Sequence, residues 1–139
     1  MDLMVSASHS LSGEVGKGAH FELPGDKSLS HRAALFAALA EGRSTIGNFL
    51  DSGVTRAMLH SLSALGVSWT LEGKTLGVEG NGLRGLQPAG TALDCGNSAT
   101  TIRLLAGALA ASGTPAVLDG SAGLRKRPME RIVQPLQSL

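Results

Sequence analysis

The chain has 139 residues, is 42% hydrophobic and 17% charged, and carries a formal net charge of +1. That length allows one domain with a core, the composition excludes a disordered polar chain, and near-neutrality excludes a global field that would recruit nucleic acid or a membrane surface. The single Cys95 excludes an internal disulfide and fits a reducing compartment. The opening MDLMVSASHS has no apolar signal core, and no apolar run approaches the ~18 residues of a membrane span, so a cytoplasmic location is expected.

Residues 1 to about 20 are rich in Ser and Gly and are expected to hold at most a short strand. A helix is predicted from about Ser28 to Glu41, with Ser28 as N-cap and Gly42 as a left-handed stop. STIGNF, residues 44–49, reads as a strand. Met58, Leu59, Leu62 and Leu65 stand at helical spacing, so a second helix is predicted from about Thr55 to Leu65, closed by Gly66. A hairpin follows: Val67, Trp69 and Leu71 alternate before Gly73, and Leu76 and Val78 after it. TALD is a short strand, CGNSATT a small-residue loop, and a third helix runs from about Ala99 to Ala111, closed at Gly113. PAVLDG is a strand and SAGLRKR a polar loop. A last helix opens near Pro128 and carries Met129, Ile132, Val133 and Leu136, with Pro135 expected to kink or end it.

A shift of 71 residues places Arg32 on Arg103, Gly42 on Gly113, Arg56 on Arg127, Met58 on Met129 and Leu65 on Leu136. The unit is helix, strand, helix, hairpin, and the second copy lacks its hairpin. A unit without that sheet leaves apolar helix faces uncovered, which reads as part of a larger protein.

Three helix starts carry the candidate chemistry. In PGDKSLSHR, Lys27 with His31 and Ser28 with Arg32 are i,i+4 pairs, so two polar rows sit where free N–H groups and the positive end of the helix dipole favour an anion. A cap followed by solvated basic residues fits the same spacing. DCGNSATTIR repeats the arrangement with Asn97, Ser98, Thr100, Thr101 and Arg103, and small side chains there let a ligand approach the backbone; an ordinary capped loop is the competing reading. LRKRPMER places Arg125, Lys126, Arg127 and Arg131 at a third start, which a nucleic-acid patch or a solvated turn would also explain. Together the three favour a multiply anionic small ligand. The histidines 9, 20, 31 and 60 show no metal-ligand spacing, Cys95 has no evident base, and Asp51, Asp94 and Asp119 would cap loops or orient a cation. No P-loop pattern occurs.

LPGDKSLSHRA, GNSATTIRLLAG and LRKRPMERIVQPL resemble, in order and spacing, the N-terminal signatures of the 3-phosphoshikimate 1-carboxyvinyltransferase (EPSP synthase) family, over about residues 20–139. The resemblance implies an α/β fold of repeated helix–strand–helix–hairpin units, as in the inside-out α/β barrel of enolpyruvyl transferases, with helices packed inside. Here it would be an incomplete domain of residues 21–139. The first repeat would span about 21–80 and a truncated second one about 90–139, with residues 1–20 belonging to the other domain or a linker.

The resemblance also implies transfer of the enolpyruvyl group of phosphoenolpyruvate to the 5-hydroxyl of shikimate 3-phosphate, with release of phosphate and without metal or organic cofactor. Lys27 would be catalytic, touching both substrates. Ser28 and Arg32 would hold shikimate 3-phosphate, and Asn97, Ala99 and Arg127 phosphoenolpyruvate, with Arg103 in support. The lone chain is expected to be inactive and to need a separate C-terminal fragment. Two departures stand out: Ala99 where the family usually has Gly, which should crowd the longer inhibitor glyphosate, and Gly53 where relatives often carry an acidic residue. The alternatives are a fragment of a UDP-sugar enolpyruvyl transferase, against which DKSLSHR and RKRPM speak, and a non-catalytic anion- or RNA-binding fragment.

Overall fold

Side-chain caps decide where the helices start. The computed structural model describes residues 23–138; the reading of residues 1–20, with His9 and His20, lies outside them. Helix α1 spans Lys27–Leu39, and its cap is Asp26, whose Oδ1 accepts from the Leu29 N–H at 2.7 Å. The expectation of Ser28 as cap is therefore corrected by two residues. An aspartate at Ncap satisfies a free N–H and sets a full charge against the dipole, which a hydroxyl cannot match. The helix leaves at an extended Ala40, and Gly42, at φ +85°, already lies in strand β1, Glu41–Ile46, which starts three residues before the expected strand.

Helix α2, Gly53–Ala64, opens with a capping box between Ser52 and Thr55. It closes as a Schellman turn: Gly66 at φ +87° donates to Ser63 O, and Val67 N–H donates to Leu62 O. Strands β2, Ser68–Glu72, and β3, Thr75–Asn81, form the hairpin across Gly73. The sheet order is β1-β3-β2, all antiparallel, with Ile46 opposite Leu76 and Leu71 opposite Leu76 on the other side. Strand β4, Leu93–Asp94, pairs in parallel with β5, Leu118–Asp119, on either side of helix α3, Ala99–Ser112. The stretch read as a polar loop holds a short helix α4, Ala122–Arg125, capped by Ser121. Helix α5, Glu130–Gln137, keeps Pro135 inside its last turn and ends two residues later.

Helix α1 packs against β1 and β3 and also against α2 and α3. Gly80 makes that approach possible, because a Cβ there would lie 2.2 Å from Ala37 O and 2.3 Å from Ala40 O. Met58, Leu59, Leu62, Leu65, Leu76 and Leu105 are wholly buried, so the apolar stripes of α2 and α3 and the inner row of β3 share one core with Ala34 and Ala38 of α1. Each such leucine contributes about 2 kcal/mol of burial. No helix among the described residues is long and apolar enough to cross a membrane.

Candidate functional site

The N-terminal ends of α1, α2 and α3 meet. The wholly buried His31, in the second turn of α1, has Nδ1 2.7 Å from Lys27 O, and Nε2 3.1 Å from Val54 O of α2 and 3.2 Å from the Oγ of Ser98, the cap of α3. Ser98 Oγ accepts from Thr101 N–H at 3.1 Å and from the Thr101 hydroxyl at 2.8 Å. Three positive dipole ends therefore converge on one region. Around it, Lys27 and Arg32 are exposed and Ser28 half-buried.

The basic residues divide into neutralised and free ones. Arg43 pairs with Glu79, Arg56 with Asp51 through two bonds of 2.6 and 2.7 Å, and Arg125 with Asp119 through bonds of 2.8 and 2.5 Å. Among the described residues Lys27, Arg32, Arg103 and Arg127 form no ion pair. Of Arg56 and Arg127, which the shift of 71 residues matches, only Arg56 carries a counter-ion among the described residues. Of the three aspartates, Asp51 and Asp119 orient arginines, and Asp94 Oδ1 accepts from Gly96 N–H at 2.8 Å. Bonds from Arg125 and from the Gly120 N–H lower the Asp119 carboxyl from 3.8 to about 2.

The loop carrying Asn97 is held by the loop leading to Arg127. Cys95 N–H donates to Asp119 O, and Ser121 N–H donates to Gly96 O, both at 2.8 Å. Gly120 permits this: a Cβ there would sit 2.5 Å from Gly96 O. The Ser121 hydroxyl donates to Asn97 Oδ1 at 3.1 Å, which leaves the amide N–H₂ of the exposed Asn97 to donate outward. Ala99 is the first residue of α3, only 9% exposed, and belongs to the core cluster. Arg127 is exposed, and Arg103 Nη2 donates to Pro128 O at 3.1 Å, tying α3 to the residue beside Arg127. Burial, reinforced by Asp94, pushes the Cys95 thiol from 9.0 to about 11, which suits a packed sulfur and not a nucleophile. No group of three or more His, Cys, Asp or Glu could hold a metal ion among the described residues.

A cavity of about 380 Å³ opens at the C-terminal ends of β4 and β5, lined by Asp94, Gly96, Asp119, Gly120, Ser121 and Arg125 among others. Two carboxylates with one already-paired arginine make it a poor anion site.

Sequence reasoning picked out the cations but set His31 aside and missed Ser121. His31 carries a readable signal, a histidine four residues after the lysine of a helix start. Ser121 is legible only as a cap, since its second partner, Asn97, is 24 positions away.

Comparison with known proteins agrees with the motifs. The family model for EPSP synthase (3-phosphoshikimate 1-carboxyvinyltransferase) matches residues 6–139. A Roseiflexus sp. (strain RS-1) protein named 3-phosphoshikimate 1-carboxyvinyltransferase is 50% identical over 119 residues, 85% of this chain and 28% of that protein. A Coxiella burnetii (strain CbuG_Q212) protein of the same name is 46% identical over 138 residues, 98% of this chain and 30% of that one. The solved EPSP synthase of Acinetobacter baumannii superposes with a TM-score of 0.81 at 42% identity, covering 85% of this chain and 27% of that chain. The chain thus spans under a third of the length of these relatives. The motifs and these matches agree, and the chain belongs to the EPSP synthase family.

Proposed function

We propose that this chain supplies one wall of the substrate cleft of a 3-phosphoshikimate 1-carboxyvinyltransferase. The observation that carries the proposal is the convergence of three helix N-termini beside Lys27, Ser28 and Arg32, whose cations have no ion-pair partner among the described residues. Such a surface suits phosphate and carboxylate groups together. In this reading Lys27 touches both substrates, Ser28 and Arg32 hold shikimate 3-phosphate, and Arg127 holds phosphoenolpyruvate with the loop of Asn97 and Ala99. Asn97 would offer its amide hydrogens, because Ser121 occupies its oxygen. Arg103 supports Arg127 through Pro128.

The chemistry follows from the charges. Two phosphates and a carboxylate repel one another, and fixed cations and helix ends offset that repulsion and align the 5-hydroxyl with carbon 2 of phosphoenolpyruvate. Protonation of carbon 3 as the hydroxyl gives up its proton and bonds to carbon 2 yields a tetrahedral intermediate, which loses phosphate together with a proton from the carbon 3 methyl to leave the enolpyruvyl ether. The described elements are read as the first units of a domain of repeated helix–strand–helix–hairpin units, an inside-out α/β barrel. The first would cover about residues 21–80 and the second 90–139, with residues 1–20 in a linker or the other domain. The facing wall would come from the part of the relatives that this chain does not cover, supplied as a C-terminal fragment, in the cytoplasm.

The test is to purify the 139-residue chain, assay phosphate release from both substrates, and repeat the assay with a C-terminal EPSP synthase fragment added. Activity only in the mixture, and its loss in Lys27→Met, is the expected result. Turnover by the lone chain would overturn the division of the site between two walls. Steeply salt-dependent RNA binding, unaffected by shikimate 3-phosphate, would overturn the catalytic reading.

A further inference from the structure

The reaction as proposed leaves unused the residue on which the three helix ends meet. His31 Nδ1 lies 2.7 Å from Lys27 O of its own helix, and Nε2 lies 3.1 Å from Val54 O at the start of α2 and 3.2 Å from Ser98 Oγ, so whichever nitrogen carries the ring proton faces a backbone carbonyl. Ser98 Oγ in turn takes the Thr101 N–H and hydroxyl. The ring is 0% exposed. One of its bonds ends on the backbone of Lys27. The others end on the backbone of Val54 and on the side chain of Ser98, which lies between Asn97 and Ala99.

We infer that His31 is a positioning residue that fixes the start of α1 relative to the loop before α3, and so sets the spacing between the groups for the two substrates. This rests on the proposed function. A rigid ring bonded at both ends transmits position, whereas an apolar side chain of similar size fills the space and leaves both ends free to drift. Displacing a substrate-holding group by about 1 Å is enough to cost up to about a hundredfold in rate. A histidine that merely fills the core would be replaced by leucine with little effect on the loop.

The test uses His31→Leu and His31→Gln in the 139-residue chain and in its mixture with a C-terminal EPSP synthase fragment. In the chain alone, amide hydrogen exchange at Thr101 should accelerate about tenfold in His31→Leu relative to core amides such as Leu62, with partial recovery in His31→Gln, whose amide still reaches a polar partner. In the mixture, His31→Leu should lower kcat/KM for both substrates by about tenfold or more, with His31→Gln in between. Unchanged Thr101 protection in a folded variant, or unchanged kcat/KM in an active mixture, would overturn the inference. Should His31→Leu not fold, the same two readouts on His31→Gln decide. A wild-type mixture without turnover would refute the proposed function, and the exchange result would still decide whether the ring fixes the loop.

Discussion

Replacing Ser98 by alanine removes one oxygen that serves two helices. Ser98 is 3% exposed, and its Oγ bonds Thr101 N–H, the Thr101 hydroxyl and His31 Nε2. Loss of an N-cap costs about 1 kcal/mol. The variant also removes one of the two partners of the wholly buried imidazole Nε2, leaving Val54 O at 3.1 Å, and this lost hydrogen bond adds about 1 kcal/mol. The expected total is about 2 kcal/mol. Ser52→Ala is the internal comparison. It removes the cap of α2, but Thr55 keeps its 2.6 Å bond to Leu50 O, so only about 1 kcal/mol should be lost. Urea unfolding of the 139-residue chain reads both; with slopes of about 1–3 kcal/mol per molar, Ser98→Ala should lower the midpoint by about 1–2 M and Ser52→Ala by well under that. Equal losses from the two caps, within about 0.5 kcal/mol, would refute the claim that Ser98 links α3 to α1.

Three further outcomes follow from charges and contacts. Asp119 has a carboxyl lowered from 3.8 to about 2 by Arg125 and Gly120 N–H, so its contribution to stability is present above pH 4 and lost as pH falls through about 2; Asp119→Asn should be less stable than wild type at pH 5 and match it below pH 2, as urea midpoints against pH would show. The buried Cys95 thiol is raised from 9.0 to about 11, so the folded chain should resist alkylation at pH 8 and lose stability as pH rises from 9 toward 11; rapid labelling under native conditions would contradict the burial. In the assembled enzyme, Ala99→Gly should increase sensitivity to glyphosate and tighten phosphoenolpyruvate binding, and equal inhibition constants for the two forms would refute the crowding argument.

Local chemistry determined much of this protein. Leucine spacing in α2, alternation across Gly73 and the glycine stops at Gly66 and Gly113 each act within a few residues, so those elements are readable in order. The cations at the helix starts are legible for the same reason, because a free N–H and a neighbouring lysine belong to one turn. Other features depended on choices between near-equal local options. Asp26 and Ser28 could each cap α1, and the carboxylate prevails. SAGLRKR could stay a loop, but Ser121 finds Leu124 N–H and Asp119 finds Arg125, and together they wind α4.

Tertiary structure alone set Arg43 of β1 against Glu79 of β3. It also brought His31 within reach of Val54 and Ser98, 23 and 67 positions away. Those pairings depend on α1 packing against α2 and α3, an approach whose distances no single segment specifies. The sequence by itself determined which residues could bind anions. The packing of α1, α2 and α3 decided that Lys27 O, Val54 O and Ser98 Oγ surround one buried ring, because only a shared core fixes the separation of groups so far apart along the chain.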